Sequence, residues 1–90
     1  MKYRFGVAET FWKKFYRLSS AQKEAVRQKW LLFKLDPFDT RLGTHRIGKL
    51  SSEYKRSVYS VVIEADLRAI FYLDGDKVWT VDIGTHDIYK

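Results

Sequence analysis

Three runs in the second half of the chain leave little freedom in how it can fold: "RSVYSVVIE" (56–64), "LRAIFYL" (67–73) and "KVWTVDI" (77–83). All three are rich in β-branched and aromatic residues, which suit a pleated, half-buried surface. The breaks between them are short. Asp74-Gly75 is a strong hairpin signal, and the Glu64–Asp66 region supplies the preceding turn. Three strands joined by two tight turns can only be an antiparallel meander.

The first half reads differently. "KYRFGV" alternates Tyr3, Phe5 and Val7 against Lys2, Arg4 and Gly6, the period of a half-buried strand. "AETFWKKFYRL" then switches to helical spacing, with Phe11, Phe15 and Leu18 on one stripe and Trp12 beside Tyr16. A second helix follows in "LSSAQKEAVRQKWLLFKLDP". Ser19 with Gln22 three residues on fits a capping box, and Ser20 is the competing cap. Val26, Trp30 and Phe33 form its buried stripe, with Ala25 and Leu32 alongside. Asp36-Pro37 ends it, because the residue before proline is pushed out of the α region. The two-residue joint between the helices predicts an antiparallel helical hairpin. The segment "PFDTRLGTHRIGKLSSEYKR" reads as irregular. The expected fold class is therefore α+β: an N-terminal strand, a helical hairpin and a three-stranded meander, in one domain over 1–90. The neighbour of the first strand in the sheet stays open.

Ninety residues without cysteine exclude disulfides and thiolate metal sites. With 46% hydrophobic and 17% aromatic residues the chain can still build a core. No run reaches the length of a membrane span, and charges interrupt any signal-peptide core, so the expected compartment is the cytoplasm. Seventeen Lys+Arg against eleven Asp+Glu give a net charge of +6. That surplus suits phosphates or an acidic protein partner.

The side chains suited to chemistry are few. His45 and His86 are far apart in sequence and carry no metal-ligand spacing. "GTHRIG" lacks the spacing of a phosphate loop, and no nucleophile elbow is present. What remains is a set of bases and cations. His45, Arg46 and Lys49 lie in the irregular segment, and Lys55 and Arg56 lead into the first run of the meander. Arg68 sits inside "LRAIF", and His86 with Tyr89 lies near the end of the sequence in "IGTHDIYK". An arginine among core-like residues needs a partner or a solvent route, and its planar fork suits an anionic ligand. Histidine is suited to proton transfer near neutral pH, and tyrosine to stacking or hydroxyl donation. Gly84 offers a turn that could bring His86 and Tyr89 to one cleft.

Three stretches carry a resemblance to a known family. "LSSAQKEAVRQKWLLFKLDPFD", "RLGTHRIGKL" and "YSVVIEADLRAIFYLDGDKVWTVDIGTHDIYK" together resemble, in order and spacing, the RelE/ParE toxin superfamily of type II toxin–antitoxin pairs. The resemblance implies a curved sheet with a helical hairpin on one side and a basic concave surface on the other. It implies a metal-independent, ribosome-dependent mRNA endoribonuclease with no cofactor, in which the RNA 2′-hydroxyl attacks the adjacent phosphate. By position, Arg68 is implied to bind the phosphate, His86 to do acid–base work, and Tyr89 to stack on a base or transfer a proton. His45, Arg46, Lys49, Lys55 and Arg56 are implied to position RNA. The chain departs from the family at "YSVVIE", where Ser60 and Val62 stand in place of two lysines. The implied partners are an acidic antitoxin, forming a hetero-oligomer, and the ribosome with its mRNA. ParE-like relatives, which inhibit DNA gyrase by binding alone, supply the alternative, beside a RelE-like relative that has lost its chemistry.

Overall fold

The computed structural model describes residues 2–85. Strand β1 (Arg4–Val7) leads into helix α1 (Glu9–Phe15) and the longer helix α2 (Ser20–Leu35). A 3-10 turn (Thr40–Leu42), a two-residue strand β2 (His45–Arg46) and helix α3 (Gly48–Tyr54) follow. The chain then enters β3 (Val58–Glu64), β4 (Leu67–Asp74) and β5 (Lys77–Thr85). The five strands form one mixed sheet in the order β1-β5-β4-β3-β2. The α+β class and the β3–β5 meander stand as expected. Three features differ from the sequence reading: the sheet gains β2 at its edge, the segment read as irregular contains both the 3-10 turn and α3, and α1 stops at Phe15, short of Leu18, so the joint to α2 has four residues (16–19) instead of two.

The expected cap of α2 forms, and Ser19 wins over Ser20. The Ser19 hydroxyl accepts from the Gln22 backbone N–H at 3.1 Å, and the Gln22 side chain accepts from the Ser19 N–H at 3.0 Å. At the other end Asp36 is extended, at φ −161, before Pro37. Gly75 opens the two-residue β4–β5 loop at φ 62, a conformation that costs glycine least. β1 settles against the last strand, running parallel to β5 with Arg4 opposite Lys77 and Val7 opposite Thr80.

The helices cover one face of the sheet. Phe11, Phe15, Val26 and Phe33 pack there against Val61, Ile63, Ala69, Phe71 and Ile83. Phe33 stands edge-on to both Phe5 and Phe71, with ring centroids 5.5 and 5.1 Å away. On the opposite face a smaller cluster of Val58, Ile70 and Val81 lies under Leu50 of α3. α3 is poor in helix-forming residues and starts without a side-chain cap. Its order comes from the strand it returns to. The Val58 N–H donates to Ser51 Oγ at 2.9 Å, and the Ile47 N–H donates to the Val58 carbonyl at 2.8 Å. Among the described residues, no helix is long and apolar enough to cross a membrane.

Candidate functional site

The site lies on the sheet face that the helical hairpin leaves open. Residues paired across strands point to the same face, and so do residues two apart along a strand. His45, Ser60, Ile70 and Asp82 make one row across β2, β3, β4 and β5. Val62, Arg68 and Gly84 make the next. Leu50 of α3 packs at Ile70, while Val62, Arg68 and Gly84 stay partly exposed beyond it. Arg68 therefore stands between α3 and the β3–β4 turn, paired on β5 with Gly84, which carries no side chain.

Arg68 is held by carbonyls. Its Nη1 donates to the Ala65 carbonyl at 2.6 Å and to the Leu67 carbonyl at 3.2 Å. Ala65 forms the turn at φ 32, a left-handed conformation that strains a non-glycine residue. Among the described residues no carboxylate pairs with Arg68, and the two carbonyls orient its guanidinium. A guanidinium in that state can take a phosphate through its remaining donors. His45 projects one row away, its Nδ1 3.2 Å from the Gly43 carbonyl.

The other predicted site residues divide. Arg46 pairs with Tyr59, whose ring stacks on Phe71 in the hairpin-side core, so Arg46 projects away from His45. Lys49 is exposed in the first turn of α3. Lys55 closes α3 in a left-handed conformation at φ 55, a position glycine usually fills. Arg56 pairs with Asp74 at 3.0 Å and lies over the Tyr72 ring, at the β4–β5 hairpin end of the sheet. The structure thus sets Arg68 and His45 on one face in adjacent rows, two strands apart, and draws Arg56 to the far end. Gly84, expected to turn the chain, lies inside β5 paired with Arg68. His86 and Tyr89 lie outside the described residues.

Ser60 and Val62 occupy the rows of His45 and Arg68. Ser60 is 0% exposed, and its hydroxyl has no hydrogen-bond partner among the described residues. It cannot stand in for an exposed cation. Sequence reasoning missed a polar group nearby. Lys14 of α1 reaches Asp82 at 2.7 Å, and Tyr54 of α3 lies close enough for Asp82 to oppose its ionisation. Burial first, and then Asp82, push the Tyr54 hydroxyl above its usual range, while Lys14 works against them. Only the sheet brings these three residues together, and no spacing in the sequence announces them.

No family model and no curated protein matches the sequence. Solved structures do match the fold. The archaeal RelE–RelB complex from Pyrococcus horikoshii OT3 superposes with a TM-score of 0.73 at 13% identity, over 98% of this chain and 99% of that one. The chain has the RelE-like toxin fold. YafQ from E. coli strain BL21(DE3) is similar with a TM-score of 0.69 at 16% identity, over 94% of each chain. A copper-bound mutant toxin from Helicobacter pylori gives 0.63 at 18% identity, over 94% of this chain and 96% of that one. Identities this low speak for the RelE-like architecture, and any activity has to be argued from the site.

Proposed function

We propose that the chain is the toxin of a type II toxin–antitoxin pair and cleaves mRNA on the ribosome. The supporting observation is Arg68: a guanidinium held by backbone carbonyls, with no carboxylate partner among the described residues, on the open face of a RelE-like sheet, with His45 one row away. In the proposed reaction the RNA 2′-oxygen attacks the adjacent phosphorus. The P–O5′ bond breaks, leaving a 2′,3′-cyclic phosphate and a 5′-hydroxyl. Arg68 stabilises the charge that builds on the phosphate oxygens. His86 moves the proton, between the attacking 2′-hydroxyl and the leaving 5′-oxygen. Tyr89 stacks on a base or donates its hydroxyl. His45 and Lys49 line the path of the RNA, and Arg46, Lys55 and Arg56 add to the field that attracts it. An acidic antitoxin complements the +6 charge of the chain. Three of the similar structures are complexes, one of RelE–RelB and two of DinJ–YafQ, and one of the latter is described as a toxin–antitoxin complex.

One observation favours a second reading. The residues standing in place of two family lysines supply no cation, and Ser60 is fully buried. A protein that binds DNA gyrase without cutting RNA would need neither lysine. Mapping mRNA ends at single-nucleotide resolution in a translating extract separates the two. Under the ribonuclease reading, wild type cuts translated messages. Arg68→Ala, which removes charge stabilisation from the transition state, lowers cleavage by about 100-fold or more. Absence of cuts from folded wild type, together with gyrase inhibition, would establish the second reading.

A further inference from the structure

At the β4–β5 hairpin end, the same sheet face carries a patch that the Arg68 row does not use. Tyr72 and Trp79 stand directly opposite each other on β4 and β5, and both are partly exposed. Each ring carries a cation. The Arg56 guanidinium carbon lies 5.1 Å from the Tyr72 centroid, and Lys77 Nζ lies 4.5 Å from the Trp79 centroid. Tyr54 of α3 adds a third ring, 5.7 Å from Tyr72 and 41% exposed.

The patch is pre-organised. Asp74 holds Arg56 at 3.0 Å, which fixes the guanidinium against Tyr72. Gly6 lets the indole lie close to β1, because a Cβ there would come within 2.8 Å of the Trp79 ring and 3.0 Å of Lys77 Cε. Arg4, Lys55, Arg56 and Lys77 outnumber Glu53, Asp74 and Asp76 by one at this end, with Arg4 paired to Asp76 and Arg56 to Asp74. Neighbouring rings with cations over them, on a positively charged sheet face, suit single-stranded nucleic acid. Its bases expose π-faces that a duplex hides, and its phosphates answer the charge.

We propose that Arg56, Tyr72, Trp79 and Lys77 form a stacking platform for single-stranded RNA, separate from the Arg68 row. Arg68 and Tyr72 are four residues apart on β4, about 13 Å at ~3.3 Å per residue. The platform thus anchors the strand away from the phosphate that Arg68 faces. The inference rests on the reading of the chain as RNA-directed but does not require cleavage.

The test is equilibrium binding of a ten-nucleotide 2′-O-methyl RNA, whose blocked 2′-oxygen cannot attack. Anisotropy and tryptophan emission are read together. Wild-type emission is expected to fall on binding, and Trp79→Phe to lose that change while Trp12 and Trp30 remain. Tyr72→Leu and Arg56→Gln bind about tenfold more weakly, and Tyr72→Phe binds as wild type, so the ring and not its volume is tested. An abasic oligomer of equal length also binds about tenfold more weakly. Arg68→Ala keeps the emission change. Equal affinity of wild type for the abasic or duplex form, or unchanged binding by Tyr72→Leu and Arg56→Gln, overturns the platform. Platform binding by a wild type that cuts no message would instead sink the ribonuclease reading and leave the platform standing.

Discussion

Asp39 shows what one carboxylate can do for a loop. It caps the 3-10 turn by accepting from the Arg41 backbone N–H at 2.9 Å, and it holds the Arg41 guanidinium through two bonds of 3.0 and 2.8 Å. The side-chain bonds from Arg41, and then the backbone bond, lower its pKa from the usual 3.8 to about 2. A depressed carboxyl contributes stability above its unfolded value and loses it as pH falls through the folded one. The contribution of Asp39 is therefore complete above about 4 and lost on acidification through about 2. Asp39→Asn keeps an acceptor at the cap but removes the charge. Urea midpoints of the two proteins should differ at pH 6 and converge near pH 2. A difference unchanged across that range would contradict the assignment. At this scale the sequence was uneven. Arg68 stood out as a charge among core-like neighbours, and the structure gives it carbonyl partners. The Asp39–Arg41 fork, two residues apart in a plain stretch, went unread because its geometry depends on the turn.

Among the elements, α2 and α3 are opposites. α2 was legible almost to the residue, since its capping box, apolar stripe and Asp-Pro stop are all local signals. α3 was not, because "GKLSSEY" has neither cap nor stripe and owes its order to β3. Ser51→Ala should consequently act like loss of a buried hydrogen bond. It leaves the Val58 N–H without its acceptor at a cost of about 1–3 kcal/mol, read as a shift in the urea midpoint. Faster amide exchange at Val58 and across α3, with α2 unchanged, would locate the loss. If Ser51→Ala melts and exchanges as wild type does, β3 is not what holds α3. β2 escaped the sequence for a related reason: two residues are too few to show a period, and only pairing with β3 defines them.

For the molecule as a whole, the ring-rich layer between hairpin and sheet should dominate stability. Phe33 touches Phe5, Trp30 and Phe71, and is 4% exposed. Phe33→Ala should cost about 3–5 kcal/mol, a large share of what a domain of this size has. Leu31 on the same helix is 65% exposed, and Leu31→Ala should stay within about 0.5 kcal/mol. Chemical denaturation of both variants decides it, and equal losses would mean that the layer is not the core. The overall class was readable because meander and helices each carry their own period. The site was only partly so, since rows across a sheet join residues from four strands whose register no single segment declares.

The parallel pairing of β1 with β5 bears on how the chain reaches this state. Arg4 and Asp76 form an ion pair at 3.0 Å although they are 72 positions apart in sequence. The β3–β5 meander can form from neighbouring segments alone, whereas β1 must wait for a large loop to close. Such long-range closure is entropically slow, and it sets β1 apart as the late-docking strand. β1 also pairs with a single neighbour, so it is expected to open before the meander does. Opening at β1 would release Gly6 from under Trp79 while the Arg68 row, three strands deep in the meander, stayed assembled.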